Sequence, residues 1–235
     1  MKNSTSYDSA SKTSPSERHQ LTESQEDYLK EIFKLAEQHK NVSLQMLTRN
    51  LKVRSASVTG MVKKLEKMGL VYYEPYKEVR LTKIGEAIAL EVLRHHRLLE
   101  LFLADHLNYS WDEIHEEAER LEHVISEKFE AAISELMGHP THDPHGDPIP
   151  TAELTLPDSP PITPMSKIRS SGLVTIRRVM TQDRDMLNML ARLKLITGQP
   201  VEILVLEEAG VRLRVEENRY LLPYAMAAMV WVETS

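Results

Sequence analysis

Six metal-competent side chains fall on two consecutive predicted helices at spacings that turn them toward common faces. His96 and Glu100 come first, in LRHHRLLELF; His115, Glu119, Glu122 and His123 follow, in WDEIHEEAERLEHVIS. Residues three and four apart share a helix face. Two such helices packed together could gather imidazole nitrogens and carboxylate oxygens around one or two divalent cations. Mixed nitrogen and oxygen donors without thiolates suit manganese, iron(II), cobalt or zinc. The chain has no cysteine, so disulfides and thiolate sites are excluded.

Charge is divided along the chain in a way the net value of −6 conceals. Between residues 43 and 80 stand Arg49, Lys52, Arg54, Lys63, Lys64, Lys67, Lys77 and Arg80, against only Glu66, Glu74 and Glu78. From 110 to 135 the balance reverses, with nine acids against Arg120 and Lys128. A basic module beside an acidic one fits one part meeting phosphate and another meeting cations.

The basic part has its own pattern. A first helix begins near Thr22 or Ser24, with Tyr28, Leu29, Ile32, Phe33 and Leu35 at helical spacing. A short helix follows Ser43, and a third, SASVTGMVKKLEKM, starts where Ser55 or Ser57 can cap it and stops at Gly69. LVYYEPYKEVRLT reads as two short strands around a turn. This is the order of a winged helix-turn-helix. A long helix from Thr82, then one helix from Ser110 or Asp112 to about Met137, carry the metal-competent groups. GHPTHDPHGDPIP is a loop, and TAELTLPDSPPITPM a Pro-rich linker. Short strands near 174–179, 201–206, 211–215, 220–222 and 229–232, with one small helix, suggest a compact barrel of SH3-like type. No apolar run approaches the ~18 residues of a membrane span, and the polar first 20 residues hold no apolar leader core, so the expected location is cytoplasmic.

The motifs EDYLKEIFKL, SVTGMVKKLEKMGLV, LTKIGE, RHHRLLELFL, EEAERLEHVIS and GHPTHDPHGDPIP, taken in this order, resemble the diphtheria toxin repressor family of iron- and manganese-dependent transcriptional regulators. The resemblance implies a mainly α chain with small β parts. A disordered tail (1–20) would precede a winged-helix DNA-binding domain (21–93) and a helical dimerisation and metal-binding domain (94–150). A linker (151–165) would lead to an SH3-like, FeoA-like β-barrel (166–235). It also implies a homodimer that binds a double-stranded palindromic operator and represses metal-transport genes in response to Mn²⁺ (or Fe²⁺).

Carried over residue by residue, one family metal site falls on Asp27, Glu119, Glu122 and His123. A second falls on His96, Glu100 and His115, with Asp183 as the ligand from the C-terminal domain and Asp185 or Met186 beside it. The iron branch has sulfur side chains where this chain has Asp27 and Glu119; carboxylates there are similar to the manganese branch and agree with the hardness of Mn²⁺. Short manganese regulators place a carboxylate where this chain has Lys30, so two separated sites per subunit are expected in place of a tight pair. Arg54, Ala56, Ser57, Thr59 and Gly60 would approach base edges, and Lys63 and Lys64 phosphates. Tyr76, Lys77 and Arg49 would hold the DNA backbone.

Other readings weigh against these. An acidic helix face is by itself more often solvated than metal-bound; the matching register of His96, Glu100, His115 and Asp27 reverses that balance. His95 faces away from His96 and reads as structural. His139, His142 and His145 read as parts of a Pro-braced loop under the metal helices, and Met186 and Met189 as core filler. HEEAE at 115–119 resembles a zinc-hydrolase HExxH motif lacking its second histidine, with Glu116 as general base. A metal-independent dimeric DNA-binding protein is the remaining alternative.

Overall fold

The computed structural model describes residues 21–74 and 77–234, in two compact units. One runs to Leu93 and includes Ala152–Thr155; the other comprises Arg94–Thr151 and Leu156–Ser235. The expected tail (1–20) and the expected DNA contact Tyr76 lie outside the described residues. No helix among the described residues is long and apolar enough to cross a membrane.

The first unit contains α1 (Glu23–Gln38), α2 (Leu44–Asn50), α3 (Ser55–Lys67), β1 (Val71–Tyr73), β2 (Val79–Leu81) and the start of α4 (Lys83–Leu107). Gln25 reaches back to the Thr22 peptide N–H (2.9 Å) and fixes the start of α1. Ser43 caps α2 by accepting from Met46 N–H (3.3 Å). α3 begins after Arg54 with no side-chain cap, so neither Ser55 nor Ser57 takes the expected role. β1 and β2 pair antiparallel, Tyr72 opposite Arg80, and Val42 adds a bridge to Val79. Leu29, Ile32, Leu47, Val58, Val62 and Leu65, all fully buried, form the centre of this winged-helix core.

The second unit continues α4 and adds α5 (Ile114–Leu121) and α6 (Glu127–Leu136). The single helix expected from about 110 to Met137 is thus two. Ser126 is the physical reason: it adopts an extended conformation and its hydroxyl accepts from Phe129 N–H (3.2 Å), which starts α6 afresh.

The same unit ends in β3 (Thr163–Pro164), β4 (Gly172–Val179), α7 (Arg184–Arg192), β5 (Pro200–Glu207), β6 (Gly210–Val215), β7 (Asn218–Pro223), α8 (Tyr224–Ala227) and β8 (Val230–Thr234). The strands form one antiparallel sheet in the order β3-β8-β4-β5-β6-β7. This corrects the expected barrel: the SH3-like domain is an open sheet, its edge strands β3 and β7 unpaired with each other. Both edges end in proline (Pro164 and Pro223), which cannot donate to a further ladder bond. Met189, expected in the core, is half exposed, whereas Met186 packs against it.

The loop at 143–148 ties this sheet to the helices of its unit. His145 O accepts from Val179 N–H (2.8 Å), Pro144 O from the Thr197 hydroxyl (2.6 Å), and Asp147 pairs with Arg178. Arg97 on α4 donates to Pro148 O (2.5 Å), and Trp111 stacks on His145 with centroids 4.9 Å apart.

Candidate metal centre and recognition helix

His115 and Glu119 lie one turn apart on α5. Glu122 closes that helix: its N–H still bonds to Ala118 O (2.9 Å), but the chain then turns, leaving His123 beyond the helix. On α4, His96 and Glu100 are one turn apart and both buried.

His96 is the hub. Its Nε2 lies 3.0 Å from Glu100 Oε1 and 3.1 Å from His115 Nδ1. Its Nδ1 lies 2.5 Å from Glu122 Oε2 and 4.0 Å from Glu119 Oε1. His115 closes both sides, with Nδ1 3.1 Å from Glu100 Oε1 and Nε2 3.8 Å from Glu119 Oε1. The two rings meet edge to face, 74° apart. Glu122 Oε1 in turn faces His123 Nε2 at 3.2 Å. Within the second unit, donors assigned to the two expected sites thus lie side by side, His96 touching Glu100, His115 and Glu122.

Glu100 is 2% exposed and Glu122 fully buried. A buried carboxylate without a positive partner is very costly. His96 meets part of that need. Burial alone would lower its pKa, but Glu100 and Glu122 outweigh it and raise the imidazole to about 9. Burial would raise Glu100, yet His96 and the hydrogen bonds from His115 and His96 bring it well below the usual carboxylate range. His96, His115 and Glu119 each present one donor atom within 4.8 Å of one another. Two imidazoles with oxygen donors and no sulfur fit a first-row divalent cation.

Asp27 lies on α1 in the first unit, partly exposed, 3.7 Å from Lys30 Nζ. Asp183 is placed otherwise than expected: it is exposed, and its Oδ1 accepts from Met186 N–H (2.9 Å) as the cap of α7. That bond engages one oxygen of the carboxylate and leaves the other free of the cap. Glu116 is exposed and paired with Arg184 (3.5 Å) and Arg120 (3.9 Å), so the general base of the hydrolase reading is engaged on the outer surface.

Two residues assigned to the loop alone stand out. Asp143 and His145 are buried. Burial, then Asp147 and Glu100, push the Asp143 carboxyl well above the usual range. Burial lowers the His145 pKa despite Glu100 and Asp147, and His145 Nδ1 has no hydrogen-bond partner among the described residues. The sequence signal for them was the histidine-bearing tract itself; their burial follows from loop docking, which local pattern does not encode.

On the winged helix, Arg54, Ala56, Ser57 and Gly60 are exposed along one side of α3, with Lys63 and Lys64 one turn on. The Thr59 hydroxyl donates to Ser55 O (3.0 Å), within its own helix. Arg49 is exposed at the end of α2. Lys77 pairs with Glu74 (2.5 Å) on the hairpin.

Comparisons with known proteins agree on one assignment. Residues 20–79 match the family model described as the iron dependent repressor, N-terminal DNA binding domain. Residues 82–151 match the iron dependent repressor, metal binding and dimerisation domain, and 163–234 match the FeoA domain. The iron-dependent repressor IdeR of Mycobacterium tuberculosis is 29% identical over 226 residues, 91% of this chain and 98% of its own length. Among solved structures, a manganese-dependent transcriptional repressor in complex with manganese is 34% identical with a TM-score of 0.82, over 88% of this chain and 98% of its own. ScaR with bound Cd²⁺ is 30% identical with a TM-score of 0.77, over 90% and 99%.

Proposed function

We propose that this chain, which belongs to the iron-dependent repressor (diphtheria toxin repressor) family, represses transcription by binding operator DNA when a divalent cation joins the cluster around His96. Proteins of this family are metal-dependent, DNA-binding repressors and not enzymes. The observation that carries the reading is the pair of buried carboxylates, Glu100 and Glu122, facing opposite nitrogens of one imidazole.

When bound, the cation supplies the positive charge and directed coordination that these carboxylates require. Glu119, Glu122 and His123 would form one donor group, to which the family resemblance adds Asp27. His96, Glu100 and His115 would form the other, with Asp183 from the C-terminal part of the chain as the further ligand that the resemblance implies and the buried His145 as a second candidate, its Nδ1 having no hydrogen-bond partner among the described residues. The oxygen-rich set favours Mn²⁺ over Fe²⁺, since harder cations prefer oxygen donors. Through Asp27 the resemblance would couple occupancy to DNA reading, since α1 belongs to the unit that holds the recognition helix. The cation shifts a conformational population, and a hundredfold gain in operator affinity needs ~2.7 kcal/mol of differential binding.

α3 enters the major groove with its small side chains toward base edges, and Lys63, Lys64 and Arg49 on phosphates. Exposed apolar side chains in the helical part of the second unit support self-association: Leu107 and Leu136 on the helices are 50% and 63% exposed, and Val124 in the turn between α5 and α6 is 68% exposed. A two-fold homodimer requires a palindromic operator, and genes for metal uptake in the cytoplasm are the natural targets.

The test is operator binding by fluorescence anisotropy in chelator, Mn²⁺, Fe²⁺ and Zn²⁺. Affinity should rise about a hundredfold with the activating metal. Equal affinity in chelator and metal would leave the metal-independent DNA-binding protein as the better reading.

A further inference from the structure

His95 lies next to His96 but faces the opposite side of the cluster, and it is completely buried. Its Nδ1 is 3.0 Å from the backbone oxygen of Glu122. A carbonyl only accepts, so this nitrogen carries the proton and donates. Its Nε2 lies 3.5 Å from Glu130 Oε2 on α6. Glu130 is itself fixed, because Oε1 accepts from Arg94 Nε (2.7 Å). Arg94 is anchored further by donating to Pro150 O (2.6 Å) and to the Ser134 hydroxyl (3.3 Å).

The Glu122 carbonyl is available because α5 ends there. In a continuing helix it would accept from the N–H four residues on, but that residue is Ser126, the cap of α6. His95 takes the carbonyl that the helix break releases. The peptide held in this way joins Glu122 to His123, the two residues whose side chains face each other at 3.2 Å. Holding that one peptide orients both.

We propose that His95 is a positioning residue for the cation ligands Glu122 and His123, braced by Glu130 and Arg94. The inference rests on the reading that Glu122 ligates the cation. Groups that orient ligands from behind change metal affinity by ~10–100-fold when lost.

The test uses the full chain, Mn²⁺ alone as probe, and two polar replacements. His95→Asn places an amide donor near the Nδ1 position, within reach of the Glu122 carbonyl. His95→Gln places its amide near Nε2, facing Glu130. By titration calorimetry, His95→Asn should bind Mn²⁺ within about threefold of the parent, and His95→Gln ~10–100-fold more weakly. The electron paramagnetic resonance lines of bound Mn²⁺ should broaden in His95→Gln only. A merely structural role would lower the melting temperature in chelator without separating the two variants in affinity or line width, and that result overturns the proposal. Should both variants fail to fold, Glu130→Ala removes the polar group behind His95, and an unchanged Mn²⁺ spectrum in it overturns the proposal equally. Glu122→Gln is the control for the underlying reading. If it binds Mn²⁺ as the parent does, the site assignment falls and this inference with it. If it weakens binding while His95→Gln does not, this inference alone falls.

Discussion

Nδ1 of His96 and Oε2 of Glu122 stand 2.5 Å apart, closer than the ~2.7–2.9 Å usual for a hydrogen bond between a charged nitrogen and a carboxylate. The other edge of the same ring faces Glu100 at 3.0 Å. One protonated imidazole thus bridges two buried carboxylates, and it is itself an expected metal ligand. Proton and cation compete for it.

Metal binding should therefore release a proton. With the His96 pKa near 9, the ring is almost fully protonated at pH 7.5, and a metal ligand must be neutral. Titration calorimetry in buffers of different ionisation enthalpy should report about one proton released per subunit at that pH. Mn²⁺ affinity should climb with pH and level off near 9. Release near zero at pH 7.5 would remove His96 from the ligand set.

Stability without metal should follow the opposite course. The His96 pKa is raised in the folded state, so its contribution is complete below 6.5 and is lost as pH rises through about 9. Glu100 is depressed, so its contribution is present above 4.5 and lost as pH falls through its lowered value. The chelated protein should be most stable between these limits, at about pH 5–6.5, and lose stability toward pH 9. Thermal melts in chelator across pH 4.5–9.5 would check this; a maximum above pH 8 would contradict it.

Much of this centre was legible in the sequence because helical spacing is a local property. His96 with Glu100, and His115 with Glu119, needed only the 3.6-residue period. The break after Glu122 was harder to see, since apolar residues continue on both sides of it. The signal was present in Ser126, followed by an acidic first turn at Glu127 and Glu130. Two features were beyond local reasoning. Asp143 and His145 are buried only because their loop docks on Arg97, Val179 and Thr197, which are distant in the chain. The open edges of the terminal sheet depend on where β3 falls, and β3 is two residues long.

Gly146 should be irreplaceable in that docking. Its φ is +84°, and an added Cβ would fall on the Arg177 carbonyl oxygen. Gly146→Ala combines an unfavourable left-handed conformation with a backbone clash, which places it among the severe single substitutions, at roughly 3 kcal/mol or more. The expected result is a melting temperature lowered by several degrees, with Mn²⁺ affinity reduced because His145 shifts. A variant as stable as the parent would show that the loop can move away from β4.

Lys63 and Lys64 should act on DNA without reading it. Both are exposed on α3 beyond the small residues of its first turns. Replacing either with alanine should weaken binding about equally for cognate and random duplexes. It should also reduce the slope of log affinity against log salt by about 1. Loss confined to the cognate sequence would make the lysine a base reader.

Gly60 gives the clearest separation of folding from recognition. It sits inside α3, where glycine costs up to about 1 kcal/mol relative to alanine. The position is exposed, and a Cβ there meets nothing within 4 Å. Nothing in the folded chain requires a bare backbone at this point, so Gly60→Ala should stabilise the protein by ~0.5–1 kcal/mol. If α3 lies in the major groove, the same methyl intrudes on the base edges. Operator affinity at saturating Mn²⁺ should then fall about tenfold or more, since a single base-edge mismatch costs ~1–3 kcal/mol. Denaturant melts and anisotropy titrations on one preparation measure both effects. A variant more stable than the parent with unchanged operator affinity would place this face of α3 away from the bases and turn attention to Arg54 and Ser57 at the start of the helix.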